Sequence, residues 1–493
     1  MRRQFVRRSS GHASHGLPVA RESERHVAVL QLISVTCALV LGLVIALVGL
    51  AVPIFRGPGT VAMIFHGRAT TLHGLVMVFL ALVPGVPFAL GRFYTSVRPG
   101  IEGRRGRFSS FTSLCLYWVG GAAVLASAVV GRFNRRLCFV EGYDAHVAGR
   151  IIWLASGVFL IGLAGTVNGL ALFRSTQGLT ASRSQALNAF VRLMCMSSLM
   201  QTIALPAWAC MIALLLVERS GTRAVFDATR GGDPMVLMQL FWFYVQPAIL
   251  ASIVGTIGAI TYFLERLGAS LDRERGLILG SGLAFSIIGL TTWGIHLVGF
   301  GQSPLLSTLF SATNLLLLVP LAVPFSVWLA AMRQLAAKRR SALTGVAGVT
   351  VLLAIGLLLG LPVSVLGPSQ VFGRTYFDLG QLHFSGAALC ATILLLTADV
   401  AWSGASSSHA PGRLRPLELL IGTALLAALT LSLYLQTHSI LAPSFDHWRL
   451  AARMQRMCVV ALGLSLIGLG PMLLARLRPI LSLKSRHLGD QVR

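Results

Sequence analysis

Apolar residues fall along this chain in long runs separated by polar breaks, and the length of the runs decides what they can form. Crossing about 30 Å of hydrocarbon as an α-helix takes about 20 consecutive apolar residues. Runs that meet this requirement cover 27–54, 70–91, 109–131, 148–173, 190–217, 236–264, 276–300, 305–332, 343–367, 375–400, 416–438 and 452–475. The breaks are short, so the pattern predicts an all-α membrane protein with about twelve transmembrane helices in one bundle over 27–475. A basic arm over 1–26 and a basic tail over 476–493 flank it, and a Ser/Gly-rich stretch lies near Ser403–Ser408. No internal repeat is visible, which gives no support to an inverted-repeat transporter. The polar first 25 residues and the length of the first apolar run predict no cleavable signal peptide.

Composition agrees with the bilayer. Of 493 residues, 55% are hydrophobic and 12% charged, against roughly 25% charged in soluble domains. Lys and Arg number 41 against 16 Asp and Glu, a formal net charge of +25. In a soluble chain that excess would suggest nucleic acid. Here the basic residues sit between apolar runs, where they flank spans, so the expected partner is lipid and no nucleic acid partner is expected. Arg2, Arg3, Arg7 and Arg8, then Arg92–Arg107, then Arg333–Arg340, then Arg476–Arg486 fall on one side of a twelve-span arrangement. Positive residues mark the cytoplasmic side, so both termini are placed in the cytoplasm, despite Arg132, Arg135 and Arg136 on the other face. The expected location is a bacterial inner (plasma) membrane. The seven cysteines form no CxxC or CxxCH motif, which argues against a zinc ribbon, a thioredoxin site or c-type haem attachment.

Polar side chains inside hydrocarbon are costly and point to function. Of 12 histidines, eight (His12, His15, His26, His66, His146, His409, His447, His487) fall outside the runs or at their edges and read as loop or tail residues. His73, His296 and His383 fall within runs, and His438 at a run's end. Spans two and ten both run outside to inside, and His73 and His383 both lie in the outer third. Two imidazoles at one depth on two helices are what a bis-histidine haem requires, one nitrogen reaching iron from each face. Two unrelated histidines with hydrogen-bond partners in the bundle fit the depth as well.

Local sequence adds to this. Thr71-Leu72-His73-Gly74 continues to Pro84; Gly231-Gly232-Asp233-Pro234 precedes Phe241-Trp242-Phe243; then come Trp293-Gly294-Ile295-His296, Ser311-Ala312-Thr313, and Thr375-Tyr376 with Gly380-Gln381-Leu382-His383-Phe384. In this order the five motifs resemble helices two, six, seven, eight and ten of haem–copper oxidase subunit I. The resemblance implies that fold, with low-spin haem ligands at His73 and His383. It also shows where this chain departs. The three copper-histidine positions read Gln246, Ile295 and His296, and the high-spin haem ligand position reads Gln381. The family's active-site tyrosine is Leu250, its sixth-helix glutamate is Ala248, and its helix-eight lysine has no counterpart near Pro320–Trp328. Isoleucine cannot ligate a metal, and an amide oxygen is a poor substitute for imidazole at copper or haem iron.

Every departure touches oxygen chemistry or proton delivery, while both low-spin ligands remain. The expectation is therefore a subunit I-like membrane protein that carries electrons through one low-spin haem of b or a type, without copper, oxygen reduction or proton pumping. Other subunits of a redox complex are the implied partners. Two alternatives stay open: a working terminal oxidase or nitric oxide reductase with relocated ligands, and a haem-free scaffold or transport protein on the same frame. The orientation is directly testable. Paired reporters fused after Arg493 should be active only in the form that works in the cytoplasm, and activity of the periplasmic form would reverse the placement of the histidine pair.

Overall fold

The computed structural model describes residues 16–56, 60–91, 104–130, 145–177, 185–298 and 301–368, most of 381–393, and 456, 459, 460 and 463. Among the described residues there is no β-strand. The helices are α1 (Gly16–Arg56), α2 (Thr60–Leu75), α3 (Arg104–Val130), α4 (Ala145–Gln177), α5 (Gln185–Arg219), α6 (Pro234–Arg266), α7 (Arg275–Gly289), α8 (Pro304–Leu316) and α9 (Leu318–Leu359). Nine stretches among the described residues are long and apolar enough to cross a membrane, from His26–Val52 to Gly345–Ser364. They match the first nine runs of the sequence. Expected span eleven lies outside the described residues, and spans ten and twelve are described only in part.

Some boundaries differ from the sequence reading. His26, His66 and His146, read as loop or tail residues, lie in α1, α2 and α4. A helix continues past the hydrocarbon wherever its propensity allows, so an apolar window underestimates it. The basic stretch between spans eight and nine is likewise helical, inside α9. Lys and Arg are good helix formers. A straight helix of this length would run about 60 Å. However, Asn314 Nδ2 of α8 donates to Ser364 Oγ at 2.6 Å, and Ser311 Oγ donates to the Ser364 carbonyl. The chain therefore reverses between spans eight and nine, and the end of α9 returns to the level of α8.

In hydrocarbon each carbonyl needs a partner from within the protein, and proline removes one helical donor. The continuation of α2 carries two prolines, Pro84 and Pro87, and widens into π-helical turns over Val76–Leu82 and Gly85–Gly91. In α-helical geometry Pro84 would have bonded the Leu80 carbonyl; Tyr117 of α3 donates its hydroxyl to that oxygen at 2.8 Å. Pro87 would have bonded Val83; Gln201 of α5 donates there at 3.2 Å. Asn168 of α4 reaches the Pro87 carbonyl at 3.0 Å and Ser252 of α6 the Leu82 carbonyl at 3.2 Å. The same replacement recurs in α9, where Pro324 leaves the Pro320 carbonyl and Ser281 of α7 donates to it. Span two is thus tied to α3 and α5 by the carbonyls its prolines release, and to α4 and α6 by two further carbonyls beside them.

Packing around it is aromatic. Trp208 of α5 is buried against Phe79, Phe241 and Tyr244, with ring centroids 6.0, 5.7 and 5.1 Å away, and its indole N–H donates to the Ala155 carbonyl at 2.8 Å. At one end of the bundle Arg275 joins Glu265 at 2.6 Å and Asp272 at 2.8 Å, closing the turn between α6 and α7. At the other end, Glu218 accepts from the backbone N–H groups of Val225 and Phe226 and holds the loop before α6. Thr229 donates both its hydroxyl and its N–H to Asp227 in that loop, which holds the carboxyl below its ordinary pKa.

The carbonyl replacements carry a prediction. Tyr117→Phe or Gln201→Leu leaves a buried carbonyl unpaired, a cost of about 1–3 kcal/mol each. Thermal unfolding in detergent should show both variants clearly less stable than wild type, while Trp118→Phe, which removes a bond to Ser34 at the exposed bundle surface, should be near neutral. Equal melting of all four proteins would refute this account of span two.

Candidate functional site

Two imidazoles approach each other between α2 and the helical residues that follow 380. The rings of His73 and His383 have centroids 6.0 Å apart and planes inclined by 18°. His73 Nδ1 lies 2.9 Å from the Gly42 carbonyl of α1. A carbonyl can only accept, so Nδ1 carries the proton and Nε2 keeps its lone pair. A carbonyl that accepts from the far nitrogen in this way sets the tautomer and aims the ring. The backbone of α1 is close because glycine faces α2: a Cβ at Gly42 would lie 2.4 Å from Met77 Sδ. The same arrangement recurs one heptad away. His66 Nδ1 lies 2.8 Å from the Gly49 carbonyl, and a Cβ at Gly49 would lie 2.7 Å from Ala69 Cβ.

The segment that bears His383 is wedged between α2 and α9. A Cβ at Gly85 would meet Ile393 Cδ1 at 2.4 Å, and one at Gly356 would meet Ser385 Oγ at 2.5 Å. Two imidazoles on opposite sides of one metal ion, with metal–nitrogen distances of about 2.0 Å, stand with ring centroids roughly 6 Å apart. The pair therefore fits a bis-histidine haem, and among the described residues a Cβ at Gly74, next to His73, would meet nothing within 4 Å.

The other candidate residues are engaged with the protein. His296 sits in a short 3-10 turn, Trp293–Leu297, after α7. Its Nε2 lies 2.9 Å from Gln246 Oε1 and donates to it, and its ring lies flat on Trp242, centroids 3.7 Å apart and planes 14° apart. Ile295 is buried beside it, and Ala248 and Leu250 are buried in α6. Gln381 donates from its amide to the Gly356 carbonyl at 3.0 Å. Among the described residues, no three His, Cys, Asp or Glu side chains come together as a metal-ligand cluster.

The glycine-rich motif before α6 has a local explanation. Gly231 has φ +85°, and a Cβ at Gly232 would lie 2.8 Å from the backbone of residues 225–227. Asp233 then caps α6 by accepting from Met235 N–H at 2.8 Å, and Pro234 takes the first helical position, where no donor is needed.

Comparison with known proteins places this arrangement. The family described as "Cytochrome C and Quinol oxidase polypeptide I" matches residues 26–471. The chain belongs to that family. Among relatives, cytochrome c oxidase subunit 1 of Synechocystis sp. is 25% identical over 333 residues, 65% of this chain and 58% of the relative. Cytochrome c oxidase subunit 1 of Thermostichus vulcanus is 24% identical over 322 residues, 64% of this chain and 57% of the relative. The chain thus aligns with a little over half the length of these relatives. A haem–copper terminal oxidase dimer solved by cryo-EM superposes with a TM-score of 0.72 at 14% identity, covering 92% of this chain and 84% of that one. At that identity the likeness is one of fold. The protein is accordingly an integral membrane, subunit I-like member of the polypeptide I family, as the ordered motifs implied.

The sequence singled out each of these positions but missed two. His66 was masked by its place at the edge of an apolar run. Trp242 sat inside a quoted motif, and its stacking on His296 could not be read from spacing.

The contact between His296 and Gln246 makes a prediction with a sign. Gln246→Leu alone strands a buried imidazole N–H and should destabilise the protein by about 1–3 kcal/mol, whereas adding His296→Leu should recover part of that loss. Strictly additive losses in the double variant would show that the two side chains do not interact.

Proposed function

We propose that this chain is a membrane cytochrome that passes electrons through one low-spin haem held by His73 and His383, and that it neither reduces oxygen nor pumps protons. The observation that carries the reading is the 6.0 Å separation of the two rings, with the Nδ1 proton of His73 committed to Gly42. When bound, haem supplies a one-electron couple. His73 and His383 would hold it with two imidazole nitrogens. The Gly42 carbonyl makes His73 a stronger donor by polarising its N–H.

Support for the absence of oxygen chemistry comes from the engaged groups. His296 is satisfied by Gln246 and covered by Trp242. Ile295 offers no ligand atom, and Gln381 is committed to Gly356. Proton loading at the bundle's centre would need an acid, and Ala248 and Leu250 supply none. Further subunits, a separate electron donor and a bacterial inner membrane with both termini cytoplasmic complete the proposal. A second reading, a working terminal oxidase, is favoured by the relatives' names as cytochrome c oxidase subunits.

Absorption spectra separate the two. Purified full-length protein should carry about one haem with a six-coordinate, low-spin spectrum that His73→Ala or His383→Ala abolishes, while His296→Ala leaves it unchanged. With no open axial position, the reduced protein should bind little carbon monoxide. A strong carbon monoxide difference spectrum favours the oxidase, and haem-free protein from haem-replete cells rejects both.

A further inference from the structure

His66 is a buried-edge imidazole for which the proposed electron path has no use, yet it is built like the ligand. His66 and His73 lie seven residues apart, two turns, on one face of α2. Each gives its Nδ1 proton to a glycine carbonyl of α1, His66 to Gly49 at 2.8 Å and His73 to Gly42 at 2.9 Å. With Nδ1 fixed toward α1 in both, the two Nε2 atoms are turned away from α1, at the far edge of each ring. Seven residues of helix separate them by about 10 Å along the axis.

Depth gives that offset a meaning. The apolar span runs Phe65–Gly91, so His73 is about 12 Å from the Phe65 end and about twice as far from the other. A haem bound at His73 carries two carboxylates on one edge. Carboxylates in hydrocarbon are costly, so that edge belongs toward the nearer surface, the end at which His66 stands half-buried. Charged hydrogen bonds to a carboxylate are the strong ones, and an imidazolium holds a donor on each nitrogen, one for Gly49 and one for the carboxylate.

We propose that His66 is a positioning residue that binds a carboxylate of the haem through Nε2, while Gly49 fixes its ring from the other side. This rests on the haem reading above. The α1 face thereby aims both the group that meets the iron and the group that meets the carboxylate edge, from two glycines in one register.

The test compares tetrapyrroles that differ only at the carboxylates. Full-length protein made in haem-deficient cells is loaded with protohaem or with its dimethyl ester, and transfer of each to apomyoglobin is timed. Wild type should release the ester about tenfold faster than the free acid, the scale of one charged hydrogen bond. His66→Ala should keep the low-spin spectrum but release both at one fast rate, and His66→Gln, which retains a donor, should fall between. An ester-to-acid ratio unchanged in His66→Ala, or ester and acid released alike by wild type that shows the low-spin spectrum, overturns the role of His66 and leaves the haem reading standing. Wild type that takes up neither tetrapyrrole overturns both.

Discussion

Backbone carbonyls in hydrocarbon have no water to turn to, and much of this structure follows from that. Span two contains two prolines within four residues, a combination that would leave orphaned acceptors in an isolated helix. The structure meets the demand with the Tyr117 hydroxyl and the Gln201 amide, and the Asn168 amide and Ser252 hydroxyl meet two more carbonyls of the same widened stretch, so that four other helices contribute. These donors are buried polar groups, and each would itself be a liability without the carbonyl it meets. The result is a mutual dependence that fixes span two, and with it His73, against the rest of the bundle. Apolar packing around Trp208 fills the remaining space but is far less directional.

The sequence disclosed the parts of the fold that the bilayer dictates. Span number and order were legible for the nine described spans because a membrane imposes one length and one polarity on every helix. Pairings between spans were not legible. Nothing in the local sequence of Gln201 says that its partner is Val83, and a π-helical turn has no hydrophobic period of its own. His66 was misplaced for a related reason: hydropathy registers where apolar residues stop, and helices do not stop there. The helical conformation of the basic segment within α9 was missed for the same reason.

The candidate site divides along similar lines. His73, His383, Gln246, Ile295, His296 and Gln381 were identified because ordered motifs carry positional information across hundreds of residues. Their individual contacts required coordinates. His296 illustrates this: a single histidine in a span invites a metal, and the structure gives it an amide and an indole instead. The glycine motif before α6 likewise turns out to serve a turn and a helix cap. A motif preserved in outline can thus retain its architecture at one point and exchange its chemistry at another.

The buried carbonyls of span two that meet side chains of other helices also set an order of assembly. A chain inserted from its N-terminus delivers span two before the helices that carry its donors. Tyr117 arrives with the next span, but Asn168, Gln201 and Ser252 arrive with the fourth, fifth and sixth. Until then those carbonyls must be met by water or by the insertion machinery. Span two is therefore a late-maturing element despite its early synthesis, and the imidazole of His73 gains its final surroundings only when the segment that carries His383 has followed the sixth helix into place.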